Sequence, residues 1–245
     1  MADALIKRLK PIDNAGLRNQ IEEQVRNAIV DGLLKPGDHL IESAIAEQLQ
    51  LSRAPVREAL SALERDGIIV YYPRRGYFVI EFTQKDIEEV YSLRLLMEIG
   101  ALRLAFPTFS NADIQQMQEI VDTLGEVGEK WEHSRIANLD LSFHEIICKA
   151  ADHSRLYAVW DRMRMQTWML MGMTTHTHYD RPQNHRQFHQ QILDAILDKD
   201  LPTAEKLLSD HIVDAQQRAL RQMERMASEN AHPRKGDSQP QKLVR

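Results

Sequence analysis

Apolar residues recur along this chain with two different periods up to about residue 80, and with a single period after it. Ile21, Val25, Ala28 and Ile29 repeat at three- and four-residue steps and predict a helix from about Ala15 to Asp31. A shorter amphipathic run from Leu40 to Leu51 predicts a second helix followed by a tight turn. Val56, Ala59, Leu60 and Leu63 form the apolar stripe of a third. That helix begins at Arg53, because Ser52 is a good N-cap and Pro55 falls in the first turn, where a missing N–H removes no intrahelical bond. Gly67 suits a left-handed end. Two β-prone runs follow, Ile68 to Tyr71 and Tyr77 to Ile80, joined by a turn that carries Arg74, Arg75 and Gly76. A helix pair with helix-turn-helix spacing, followed by a hairpin, is a winged helix-turn-helix.

From Thr83 onward only the helical period remains. The expected helices run from Gln84 to Phe106, Asn111 to Gly128, Ser134 to Ala151, Ser154 to Gly172, Asn184 to Lys199 and Pro202 to Met226. Thr83 with Asp86 resembles a capping box with Asp in place of Glu, Ser110 and Ser154 suit N-cap positions, and Pro202 suits a first turn. The stretch from Met173 to Pro182 lacks periodicity and reads as a loop. Residues 1–15 read as a loose arm with Lys7, Arg8 and Lys10, and residues 227–245, polar and broken by Pro233, Gly236 and Pro240, as a disordered tail. The fold class expected is mainly α: an N-terminal winged helix-turn-helix over residues 1–81 and a C-terminal, all-α, six-helix antiparallel bundle over residues 82–226.

Composition narrows the setting. The chain has 245 residues, 43% of them apolar, which is enough for two ordinary cores. No run of apolar residues is long enough to span a bilayer and no leader is evident, so the expectation is a cytoplasmic protein with no membrane association. The single Cys148 excludes an intrachain disulfide. The net charge of −5 looks unsuited to a nucleic-acid binder. Residues 1–80, however, hold 11 Lys+Arg against 11 Asp+Glu, so the whole excess lies in the helical part. Affinity for DNA must then come from cations gathered on one face, with a modest dependence on salt.

Arg53 and Arg57, four apart, share the exposed side of the third helix. An isolated arginine pair is usually a solvated charged face, but here it lies on a capped second helix and is followed by an arginine-tipped hairpin, which points to DNA. The segment from about Gln24 to Ile80 resembles the winged helix-turn-helix domain of the GntR family of bacterial transcription regulators. The matching residues are Ala28, Ile29, Gly32, Pro36, Gly37, Leu40, Ala46, Ser52, Arg53, Pro55 to Leu60, Leu63, Gly67, Arg75 and Gly76. The resemblance implies double-stranded DNA contact by Ser52, Arg53, Arg57, Arg74, Arg75 and Gly76, on a palindromic operator read by a homodimer. It departs from the pattern at Gln50, where the family usually has glycine; a side chain in a left-handed turn costs about 1 to 2 kcal/mol.

Asp140 and His144 lie four apart on one expected helix and project from one face, where a metal could bridge them. His185 and His189 form a second pair with the same spacing. Cys148, four beyond His144, is more simply a small buried hydrophobe. His176 and His178 read as solvated, and the Met and Trp residues between Trp160 and Met173 as core or dimer contact. The helical part resembles the FCD ligand-binding domain of the FadR subfamily, with a helix count closer to its VanR-like variant. Arg94, Glu98, Asp140 to His144, His189 and the run from Ala204 to His211 carry that resemblance. It implies a divalent cofactor, Zn, Ni or Mn, held by Asp140, His144, His189 and His211; His185 is the rival ligand on spacing and is read as standing beside the site or at the surface. Arg94 could be a surface partner of Glu98; the resemblance implies instead that it faces the pocket and binds a small-molecule carboxylate effector. The expected function is that of a metabolite-responsive transcription regulator, a repressor rather than an enzyme. Two other readings stay open, a metal sensor without organic effector and a metal-dependent hydrolase.

Overall fold

The computed structural model describes residues 16–126, 133–175 and 182–231. Helix α1 (Leu17–Val30) buries Ile21, Val25, Ala28, Ile29 and Val30 along one side. Helices α2 (Glu42–Leu49) and α3 (Arg53–Arg65) follow, and α3 buries Val56, Ala59, Leu60, Ala62 and Leu63. Between α2 and α3 the backbone of Gln50 is left-handed, with φ 58° and ψ 39°, the conformation for which a glycine was expected at this turn, and Gln50 takes the strain. Ser52 stands at the N-cap of α3 with extended backbone, but its side chain makes no capping hydrogen bond. Gly67 has φ 71°, as expected of a glycine just past a helix end.

The hairpin comprises β2 (Ile69–Tyr72) and β3 (Gly76–Val79), paired antiparallel from Ile69 opposite Val79 to Tyr72 opposite Gly76. One element was not expected. His39 and Leu40 form a short strand, β1, which pairs with β3 opposite Phe78 and Tyr77, in the sheet order β1-β3-β2. Leu40 therefore does not open α2. It is buried in either role, and pairing with β3 covers a strand edge that would otherwise be exposed.

Six helices follow: α4 (Gln84–Ala105), α5 (Asn111–Glu126), α6 (His133–Ala150), α7 (Ser154–Thr175), α8 (Pro182–Leu197) and α9 (Leu201–Ala231). Thr83 and Asp86 form a complete capping box at α4, and Ser110 with Asp113 repeats the arrangement at α5. At α7 the cap is His153 rather than Ser154, its Nδ1 accepting from the Leu156 N–H. Helix α7 runs three residues beyond Gly172, and α9 reaches Ala231, so residues 227–231 are helical rather than tail. The expected arm, the remainder of the tail, His176 and His178 lie outside the described residues. Helix α4 packs on α6, α7 and α9, while α5 packs on α6 and α8. Among the described residues no helix is long and apolar enough to cross a membrane.

Two apolar cores result, and the first does not stop at the winged helix. Ala137 and Leu141 of α6, with Trp168, Met169 and Met171 of α7, complete it. The contact is close: a β-carbon added at Gly172 would lie 2.9 Å from the Val30 Cα. The second core fills the bundle and includes Trp160, Phe143 and Cys148.

Candidate metal centre and nucleic-acid interface

One turn of α6 places Asp140 and His144 on the same side, facing the bundle axis. His189 comes to them from α8 and His211 from α9. One ligand atom from each of the four lies within 4.8 Å of all the others. His189 Nε2 and His211 Nε2 each stand 3.3 Å from Asp140 Oδ1, and His144 Nε2 stands 3.6 Å from Asp140 Oδ2. The rings of His144 and His211 are stacked at 5.1 Å, and His189 meets both edge-on.

All four residues are buried, yet both Asp140 oxygens and the Nε2 atoms of His144, His189 and His211 have no hydrogen-bond partner among the described residues. Buried polar atoms without partners are rare, because each loses its hydration. Five of them pointing at one space fit a divalent ion with mixed nitrogen and oxygen ligands. Protonation agrees. Burial pushes His211 down to about 3 and also lowers His189, so both present lone pairs at neutral pH. Burial alone would raise the Asp140 carboxyl, but the imidazoles of His185, His189, His211 and His144 outweigh it and hold it well below the usual carboxylate range.

The surrounding residues set the orientation of these groups. The Nδ1 of His189 lies 2.7 Å from the His185 carbonyl, which as acceptor fixes the proton on Nδ1 and leaves Nε2 facing the centre. Glu98 Oε2 lies 2.6 Å from His144 Nδ1, and Glu98 Oε1 accepts hydrogen bonds from Arg94 Nε at 2.7 Å and Trp160 Nε1 at 2.9 Å. Burial opposes ionisation of Glu98, but Arg94 and His144 outweigh it and bring the carboxyl down to about 2. Sequence spacing exposed the Arg94–Glu98 pair but not this role, since His144 is far from Glu98 in the chain. A buried carboxylate behind a ligating imidazole is a recurrent arrangement at metal sites.

Arg94 is buried, not a surface residue. Its Nη2 is 3.6 Å from Asp140 Oδ2, and neither terminal nitrogen has a hydrogen-bond partner among the described residues. The guanidinium thus borders the cluster with its fork unfilled. His185 is also buried, with Nδ1 3.9 Å from Asp140 Oδ1, and stands beside the four-residue set rather than in it. Cys148 is buried in the apolar core, which pushes its thiol up and makes it a poor thiolate ligand.

In the winged helix, Ser52, Arg53 and Arg57 are exposed on one side of α3, and Arg74 and Arg75 are exposed at the hairpin tip. Pro73 and Arg74, with φ 66° at Arg74 and a Tyr72 carbonyl to Arg75 N–H bond of 3.0 Å, make a type II-like turn. The Arg75 guanidinium lies over the rings of Tyr72 and Phe78, 5.6 and 5.2 Å from their centroids. Gly76 has φ 91°. Arg57 is not free: its Nε and Nη2 donate to Glu42 at 3.1 and 2.9 Å.

Comparison with known proteins agrees with both halves. The profile of bacterial regulatory proteins of the gntR family matches residues 17–79, and that of the FCD domain matches residues 89–214. The gluconate operon transcriptional repressor of Bacillus subtilis (strain 168) is 32% identical over 167 residues, covering 67% of this chain and 68% of that protein. The HTH-type transcriptional regulator McbR of Escherichia coli (strain K12) is 29% identical over 167 residues, covering 68% of this chain and 74% of that one. The solved structure of E. coli McbR/YncC superposes with a TM-score of 0.70 at 24% identity, over 87% of this chain and all of that one, which shows a shared fold.

Proposed function

This chain belongs to the gntR family of bacterial regulatory proteins and carries an FCD domain, and from that premise we propose that a metal-bound organic acid sets its affinity for an operator. It is a DNA-binding transcription regulator, not an enzyme. In this reading residues 1–81 bind DNA and residues 82–226 sense the effector. The protein acts in the cytoplasm as a homodimer on a palindromic site, most simply as a repressor, as the B. subtilis relative is named. Leu93, Leu96 and Leu104 of α4 and Val159 of α7 are large apolar residues left exposed on adjoining helices, and a second copy would cover them.

The observation that carries the proposal is the set of buried, unpartnered donor atoms of Asp140, His144, His189 and His211. Charge explains why metal and acid belong together. With the imidazoles neutral, as ligation requires, Asp140, Glu98 and Arg94 leave the pocket one negative charge in excess, which repels a carboxylate. A divalent ion reverses the sign. The carboxylate then meets the ion and the open fork of Arg94, and a hydroxyl next to it supplies a second oxygen to the metal. A sugar acid such as gluconate has that chemistry and is the first probe to use, given the name of the B. subtilis relative.

The route to DNA is short. Helix α6 carries both Asp140 and His144 and, interleaved with them along the same broad face, Ala137 and Leu141, which complete the winged-helix core. A shift of α6 on ligand binding therefore moves the packing surface of the DNA-binding unit.

Elemental analysis of the purified chain should find about one divalent ion per chain, lost in His144→Ala and in His211→Ala. Wild-type metal content in both variants would reject the tetrad. Calorimetry with gluconate and related hydroxy acids should show binding to the metal-loaded protein and none to the chelated one. Arg94→Lys, which keeps the charge but not the fork, should retain metal and lose the acid.

A further inference from the structure

Glu42 and Arg57 face each other across the turn that joins the two helices of the DNA-binding motif. The carboxylate, from the first residue of α2, takes Nε of Arg57 at 3.1 Å and Nη2 at 2.9 Å. The arginine side chain is 65% exposed and the glutamate 24%. Arg53, one turn earlier on the same face of α3, has no ion-pair partner among the described residues. Two arginines on one reading surface are therefore presented differently, and the difference is set by a residue outside the recognition helix.

A guanidinium has two edges that can make paired hydrogen bonds, and Glu42 occupies the one formed by Nε and Nη2. The end-on edge, Nη1 with the second hydrogen of Nη2, has no partner among the described residues, on a side chain that is largely exposed. That edge matches the paired acceptors O6 and N7 of guanine in the major groove. Fixing the rotamer removes in advance most of the side-chain freedom that a base contact would otherwise have to quench. The carboxylate has a second effect. It places a negative charge on a surface that approaches phosphate, at a range shorter than the Debye length, so it weakens contacts that any DNA sequence could make.

We infer that Glu42 is a positioning residue for DNA readout, holding Arg57 for a base-edge contact while disfavouring sequence-independent binding to phosphate. This rests on the reading of α3 as the recognition helix, and it concerns specificity rather than affinity. Without Glu42, Arg57 becomes a mobile cation free to reach the nearest phosphate.

The test uses the full-length protein and duplexes of about 30 base pairs, long enough for two half-sites one helical turn apart. One duplex is the winner of a selection from a random-sequence pool with the wild-type chain, and the other is its shuffled counterpart. Dissociation constants for both are measured across a range of KCl concentrations. Glu42→Gln should bind the shuffled duplex about threefold more tightly and steepen its log K against log salt slope by about one unit, the increment of one additional phosphate contact. The ratio of selected to shuffled affinity should fall about tenfold, as expected when one paired base contact is loosened. Glu42→Ala should do the same, and Glu42→Asp, which keeps the charge on a shorter arm, should restore the shallow slope. A merely structural role for Glu42 would leave slope and ratio unchanged. If Arg57→Ala loses discrimination while Glu42→Gln keeps the wild-type ratio and slope, the inference is overturned. If Arg57→Ala itself discriminates as well as wild type, it is the recognition-helix reading that fails.

Discussion

Asp140, His144, His189 and His211 are held in place mainly by residues around them, and the consequences can be measured one side chain at a time. His211 titrates near 3 and His189 below its ordinary value in the folded chain, whereas in the unfolded chain both return toward 6.5. Between those limits the unfolded chain binds more protons. The metal-free protein should therefore have its full stability above about pH 6.5 and lose it progressively as the pH falls toward 3. Melting curves of chelated protein from about pH 8 to about pH 4 check this, and a flat melting temperature across that range would contradict it. Arg94 is a separate case, since its removal leaves Glu98 and Asp140 both buried and ionised. Arg94→Ala should cost about 3 to 5 kcal/mol, so a loss of effector response in that variant would say little about recognition. Gln50 offers the opposite experiment. Its left-handed backbone has nothing to do with burial, and Gln50→Gly should raise stability by about 1 kcal/mol in a denaturant titration.

Elements were legible in the sequence wherever a local rule governs them. Thr83 with Asp86 marked the start of α4 because a capping box is a contact between residues three apart. The stripe of α3 could be read from its 3.6-residue period. What escaped was set at a distance. Strand β1 has two residues and no period, and it exists because β3 has an edge to cover. The same contrast runs through the site: Asp140 and His144 declare themselves by spacing, whereas the contact of Glu98 with His144 joins α4 to α6 and leaves no local trace. Caps also differ in what they do. Ser52 occupies an N-cap without bonding a backbone N–H, so Ser52→Ala should barely change stability but should weaken DNA binding if its hydroxyl meets phosphate. Thr83→Ala removes a working capping box and should cost about 1 kcal/mol, with DNA affinity unchanged. Thermal melts and gel shifts on the two variants separate the roles.

For the whole molecule, the proposed mechanism requires a change near Asp140 to reach α3. The winged helix shares its core with α6 and α7, and Gly172 lets α7 lie directly on the backbone of Val30. Gly172→Ala cannot be accommodated without movement there. It should cost about 1 to 3 kcal/mol and uncouple DNA affinity from acid binding, while metal content and calorimetric affinity for the acid stay at wild-type values. The proposed dimerisation is tested at the exposed apolar residues of α4, where Leu96 is 73% exposed. Leu96→Asp should yield a folded monomer in sedimentation, with operator affinity reduced at least tenfold by the loss of two-site binding.

The depth of the donor set also bears on time. His144 and His189 are wholly inaccessible, and Asp140 and His211 nearly so, with ligands drawn from three helices. An ion there can leave only when α6, α8 and α9 part, so its residence follows the opening rate of the bundle rather than the bond strength of any one ligand. Isotope exchange into the loaded protein should be slow, and it should keep pace with amide hydrogen exchange in those helices. An ion with such a lifetime cannot report a fluctuating supply. On the proposed reading, a chain that acquired its metal on folding would keep it through many rounds of operator binding and release, and the ion would act as a fixed part of the site rather than as the signal.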